Sequence, residues 1–390
     1  MAQRRECFQI PGVAHSGGGV RGYLPFGTRV GDYLFSGGCM GQDPANGKVV
    51  DGAAAQAEYA FRNVRTLLDT AGFSTGDVVR MWVWIKDQSV RPAVDKPWKE
   101  MFPDEGSRPA VSFVQADLPA GMVVQLEIIA VRGGRPRRSF YLGDAKGGLY
   151  PSGATKADVV CVGALNGKDP RSGVMPADGV EQAAIATDKL KQIMDLADLG
   201  LESMGHMLAW YRDHSMREVS NGPYMRLWPI MGDRPARHSV VRAMPPGEIF
   251  EIEGMGTIGA RRKDLFIPGV FHGGILGIEN SLPFGTHTGK LVYSAATYGR
   301  NTETGVVGAP EEQAELVMTH TKTLMDRAGI TMDDVAHMFL WFTDRKYRDL
   351  FNGPWEKWFP RMEDRPARHA IEAGLPGNFV VQVEIIAVAP

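Results

Sequence analysis

Cysteine is scarce: the 390-residue chain holds three, Cys7, Cys39 and Cys161, with no CxxC pair among them. A set so sparse and odd excludes a disulfide framework and points to a reducing compartment, with the cytoplasm as the expected location. Long apolar runs are missing as well. No stretch of 18 apolar residues occurs, so no membrane span is expected, and the opening MAQRRECFQIPG lacks the apolar core of a secretory signal. Neither sign of charge prevails. The 43 Lys and Arg against 45 Asp and Glu leave a net charge of −2, without the basic excess that a nucleic-acid partner would demand. HxH and HExxH spacings are absent, as is the GxxxxGK[ST] phosphate loop, so no metal and no cofactor is expected. The glycines of HSGGGVRG could cradle a phosphate, but no helical pattern follows them.

What is present is an ordinary globular composition, 44% hydrophobic and 23% charged, and a sentence written three times. SRPAVSFVQADLPAG starts at Ser107, DRPARHSVVRAMPPG at Asp233 and DRPARHAIEAGLPG at Asp364. Other landmarks keep step with it: Gln56, Gln182 and Gln313 in QA pairs, Asp87, Asp213 and Asp344 closing apolar runs, and Glu127, Glu253 and Glu384 downstream. Each set is offset by 126 residues between repeats one and two and by 131 between two and three. A period of this length is a domain rather than a solenoid unit. The expected domains are 1–133, 134–260 and 261–390, with RGGRPRRS and GARRKD as linkers.

Within a repeat the pattern reads roughly ββ(β)αβαββ. AEYAFRNVRTLLDTAG carries Ala57, Phe61, Val64 and Leu68 at helical spacing and stops at Gly72. VVRMWVWIKD alternates as a half-buried strand should, and PWKEMF and PWEKWF open a second short helix with Pro in its first turn. The motif strand and the following VVQLEIIAV or VVQVEIIAV read as a hairpin joined by LPAG or LPG.

The combination of GDYLFSGG, DPANGKVV, QA, GDVV, the RPAR motif, LPxG and VxEIIAV resembles the YjgF/Rid family of reactive-intermediate imine deaminases. The resemblance covers nearly the whole chain, once per repeat. It implies an α+β fold of three tandem chorismate-mutase-like domains. These would form a pseudo-threefold, trimer-like barrel with sheets inside and helices outside, working as a monomeric pseudo-trimer able to dimerise. Family clefts lie between neighbouring protomers. The PAR arginine binds a substrate carboxylate, and a last-strand Glu, an N-terminal Tyr and an Asn before the second helix line the pocket.

Carried over residue by residue, repeat two holds the whole catalytic set: Arg237, Glu251, Tyr150 and Asn221. Repeat three keeps Arg368 and Asn352 but has Gln382 for the Glu and Leu282 near the Tyr position; these polar groups, with Ser239, are expected to bind substrate. Repeat one, with Val111, Asp95, Gln125 and Leu24, matches nowhere. Repeats one and three also share an N-terminal segment, IPGVAH and IPGVFH, which suggests either a common arm or a second site using His15, His272 or Glu279. Arg108, Arg234, Arg365 and the glutamates at 127, 253 and 384 recur whatever the cleft holds and read as structural. Trp84, Trp210 and Trp341 read as packing anchors.

The chemistry suits these types. A guanidinium fork fixes a carboxylate beside a C=N carbon, a Glu handles the proton of an attacking water, and a Tyr donates to the departing nitrogen. The implied activity is cofactor-free hydrolysis of a 2-imino acid to a 2-oxo acid and ammonia. The alternatives are a catabolic enzyme for ring-derived enamines, such as the aminomuconate deaminases of this superfamily, and a binder that keeps only the Arg anchor. Ribonuclease activity, also attached to the family, fits the charge balance least.

Overall fold

The computed structural model describes residues 5–13, 24–142, 148–269 and 281–390. Each repeat contributes one mixed sheet, and the three sheets share a strand order. In repeat one it runs Glu6–Phe8, Gly27–Val30, Tyr33–Ser36, Val124–Val131, Val78–Ile85, Ala110–Gln115. All neighbours are antiparallel except the last pair, where the motif strand Ala110–Gln115 lies parallel to Val78–Ile85. The expected hairpin is therefore not formed. The final strand crosses to the far side of the Asp-ended strand, because the helix Arg91–Met101 supplies the crossover that a parallel pair needs. Repeats two and three copy this with Ala236–Val241 beside Met204–Tyr211 and Ala367–Glu372 beside Val335–Phe342. The sheets stay open at both ends. The barrel expected from the resemblance is not closed among the described residues.

One long helix covers the outer face of each sheet: Ala53–Ala71, Gly179–Leu196 and Pro310–Ala328. The first stops at Gly72, φ 74°, a left-handed cap that a residue with a Cβ would strain. The short helix of repeat one begins at Arg91, ahead of the PWKEMF segment that was expected to open it, and leaves Pro97 in its interior. None of these helices is long and apolar enough to cross a membrane.

The Asp-ended strand is buried along both faces, not half-buried as its alternation suggests. Its outer side chains meet the helix layer and its inner ones meet the other repeats. Trp210 packs edge-on against Trp84 (6.3 Å) and Trp341 (5.6 Å), and Trp82 against Phe339 (5.6 Å). The recurring tryptophans thus meet where the inner faces of the three sheets converge, a large apolar contribution in little space.

The recurring glutamates cross the same seams. Glu253 of repeat two accepts from Arg80, Ser112 and Trp82 of repeat one. Glu384 of repeat three meets His238 of repeat two at 2.7 Å, and Glu127 of repeat one meets His369 and His337 of repeat three, each at 2.7 Å. Burial alone would raise the Glu127 carboxyl; the two imidazoles hold it down at about 2.

The segments expected to be linkers run from one sheet into the edge strand of the next, and each carries a buried arginine. Arg137 donates to the Thr75 and Val78 carbonyls of repeat one, and Arg262 to Leu201 and Met204 of repeat two. Arg5 closes the cycle by donating to Met332 and Val335 of repeat three. Each satisfies carbonyls around the start of an Asp-ended strand, which explains why these stretches are basic.

Candidate functional site

Three clefts follow from this cyclic arrangement, each with the motif strand of one repeat facing the final strand of the next. The PAR arginine and the last-strand acid position of one repeat therefore belong to different clefts.

In the cleft between repeats two and three, Arg237 is 7% exposed and donates to Asn221 Oδ1 at 2.8 Å and Ser220 Oγ at 3.4 Å. Its guanidinium lies over the Tyr224 ring at 4.7 Å, and its Nε has no hydrogen-bond partner. Asn221 is fixed in turn by Glu218, to which it donates. The fork is oriented and desolvated yet meets no carboxylate among the described residues. It opens on a cavity of about 250 Å³ whose other wall is repeat three: Leu282, Tyr298, Arg300, Phe379 and Gln382. That volume is room for a small organic acid. Ser239 lines it beside His238. The His238 ring is pinned, with Nδ1 2.7 Å from Glu384 and Nε2 3.1 Å from Gln382 Oε1.

The cleft between repeats three and one repeats the device in less space. Arg368 is 1% exposed, donates to Asn352 Oδ1 at 3.0 Å and lies 4.7 Å over Trp355. Burial, with Arg348 beside it, presses its pKa down, and its Nε and Nη1 have no hydrogen-bond partner. Gln125, Leu24 and Asp117 of repeat one complete this cleft, but the cavity is only about 40 Å³ against about 250 Å³ in the cleft of Arg237.

Between repeats one and two the cleft residues are satisfied by the protein itself. The Tyr150 hydroxyl donates to Asp95 Oδ1 at 2.5 Å, and its ring packs on Phe113 (4.8 Å) and Trp98 (5.1 Å), all of repeat one. Burial and Asp95 push the phenol's pKa well up, so it is no ready proton donor. Glu251 is buried and paired with Arg242. Burial outweighs that partner and, with Glu248 adding repulsion, raises the carboxyl to about 7.

The four residues that repeat two holds together in sequence are thus parted in space. Arg237 and Asn221 face repeat three, whereas Tyr150 packs on repeat one and Glu251 lies on the strand whose Glu253 binds repeat one. Of the substrate-binding candidates, Ser239 and Gln382 join Arg237, while Arg368 and Asn352 form the smaller cleft. His15, His272 and Glu279 lie outside the described residues. No group of three or more His, Cys, Asp or Glu able to hold a metal occurs among the described residues.

Sequence reasoning missed Arg217, Arg300 and Tyr298, which line the larger cavity. Arg217 had a signal: Arg91, Arg217 and Arg348 recur at the same offsets as the other landmarks. Arg300 and Tyr298 had none, because they come from the neighbouring repeat at a position that varies among the three.

Residues 19–132 and 280–389 match the family model described as Endoribonuclease L-PSP. The 2-iminobutanoate/2-iminopropanoate deaminase of Salmonella typhimurium is 32% identical over 108 residues, 27% of this chain and 84% of that protein. Among solved structures, RidA from an Antarctic Psychrobacter is 28% identical over 33% of this chain and 99% of its own, with a TM-score of 0.30. A chorismatase, 12% identical, aligns over 80% of this chain and 93% of its own with a TM-score of 0.55, a likeness of fold alone.

Proposed function

The chain belongs to the YjgF/Rid family, and on that premise we propose that it is a cofactor-free hydrolase of carboxylate-bearing imines or enamines, acting in the cleft between repeats two and three. One observation carries the reading: Arg237 is a buried, oriented guanidinium without a carboxylate partner, aimed into a cavity large enough for a small acid. In this reading the three repeats, 1–133, 134–260 and 261–390, stand in for the three protomers of a trimer. Their sequence differences leave one cleft roomy, one small and one occupied by the protein's own side chains.

Arg237 holds the substrate carboxylate through paired charge-assisted hydrogen bonds, and Asn221 and Tyr224 keep the fork in place. That fixes the C=N carbon in place, so positioning supplies much of the rate. Water adds to the carbon, the amine leaves as ammonia, and a 2-oxo acid remains. With Gln382 where the family has a carboxylate, this reading gives the proton transfer to His238, which Glu384 orients and whose Nε2 faces Gln382 Oε1. A second reading, a metabolite binder without turnover, is favoured by one fact: no cleft joins a PAR arginine to the last-strand Glu251. The two readings part on ammonia release from enzymatically generated 2-iminopropionate and 2-iminobutyrate. The hydrolase reading requires release by the wild type and its loss in Arg237→Ala. Stabilisation by 2-oxo acids without release supports the binder.

A further inference from the structure

A single substrate carboxylate would leave the larger cleft over-charged. Arg217 and Arg237 enter from repeat two and Arg300 from repeat three. None of the three has a carboxylate within ion-pair distance among the described residues, and each has a buried Nε without a hydrogen-bond partner. Proximity to Arg237 contributes to lowering the Arg217 pKa, after burial, so these two cations already repel. The acids close by are otherwise engaged. Glu218 accepts from Asn221, and Glu384 is held by His238. Three guanidiniums around one cavity, one of them 7% exposed, are stable together when a ligand brings more than one negative charge.

On the repeat-three wall Arg300 lies beside aromatic rings. Tyr298 and Phe379 pack with ring centroids 4.8 Å apart, and Arg300 lies 5.9 Å from the Phe379 ring centroid. Arg237 sits over Tyr224 on the opposite side. The Arg300 fork is steadied by the Gly305 carbonyl at 3.3 Å. Neither other repeat has an arginine at the matching position: after Gly41 and Gly167, which like Gly299 abut the QA glutamine, stand Gln42 and Lys168.

We propose that the cleft between repeats two and three selects a ligand with two anionic groups on an apolar body. Arg237, with Arg217, holds one group, and Arg300 holds the other. This rests on reading the cleft as the substrate site and narrows the substrate to a dicarboxylate imine or enamine.

Calorimetric titration of the full chain with benzoate and with isophthalate, its 1,3-dicarboxylate counterpart, tests the proposal. Isophthalate is expected to bind at least tenfold tighter. Arg300→Ala and Arg300→Gln should erase that gain and leave benzoate within twofold, whereas Arg237→Ala should weaken both ligands. Unchanged melting curves show that the variants fold. Equal binding of the two acids, binding of neither, or a gain that survives both Arg300 variants overturns the inference. The hydrolase reading fails separately: a wild type that prefers isophthalate yet releases no ammonia from imines keeps this inference and sinks that one. One that hydrolyses 2-iminobutyrate without preferring the dicarboxylate does the reverse.

Discussion

Glu384 of repeat three and His238 of repeat two lie 2.7 Å apart across the seam that also carries the Arg237 cleft. Glu127 and His369 repeat the contact at the next seam, while Glu253 meets Arg80 and Ser112 where a histidine pair would stand. The pair does two things. It ties one repeat to the next in the interior, and it orients an imidazole at the edge of a cavity where the family's acid has become Gln382.

Arg237→Ala is expected to lower kcat/KM on small imino acids by at least about 100-fold, the order of one or two lost charge-assisted hydrogen bonds. Arg237→Lys should recover little, because an ammonium cannot reproduce the fork. Arg368→Ala should change turnover less than about threefold, since its cavity of about 40 Å³ does not admit the substrate. Steady-state kinetics on the three variants checks this.

Tyr150→Phe should leave turnover within twofold and cost about 1–2 kcal/mol of stability, because its hydroxyl serves Asp95 rather than a substrate. Urea denaturation beside the activity assay separates the two effects. A large fall in kcat would return Tyr150 to the catalytic set.

The acid limb of stability should carry the signature of Glu127. Its folded pKa of about 2 lies below its ordinary value, so the stability it supplies is fully present above about pH 4.5 and is lost as pH falls towards 2. Glu127→Gln should lower the melting temperature at pH 7 and flatten its fall between pH 4.5 and 2.5. Melting curves across that range measure it.

Arg5 closes the cycle of repeats, donating to Asp364 at 3.0 Å and to the Met332 carbonyl at 2.7 Å while 2% exposed itself. Arg5→Ala should cost about 2 kcal/mol, because the buried Met332 and Val335 carbonyls lose their donor while Asp364 keeps Arg361. Proteolysis should then open repeat three before repeat two, as limited digestion would show.

Much of this was written in the sequence. The repeats, the helix stop at Gly72 and the PAR arginines could be read directly, since periodicity and glycine caps are local. The pairing of clefts could not. Arg237 shares a cavity with Gln382 only because the final strand of repeat three comes to face the motif strand of repeat two, and no local pattern says which copy faces which. The hairpin was misread for a similar reason. LPAG allows a tight return, but the parallel pair made by the crossover helix occupies the place the return would take. The basic segments do join one repeat to the next, but their docking was not legible, because the carbonyls that hold Arg137 and Arg262 lie in another repeat.

The most direct test follows ammonia release from enzymatically generated 2-iminobutyrate with wild type, Arg237→Ala and Glu251→Gln in parallel. The account predicts turnover by the wild type, its loss in Arg237→Ala, and near-normal rates in Glu251→Gln, whose carboxyl is paired with Arg242 away from the Arg237 cleft. Abolished activity in Glu251→Gln with Arg237→Ala unaffected would contradict it and move the chemistry to the seam between repeats one and two.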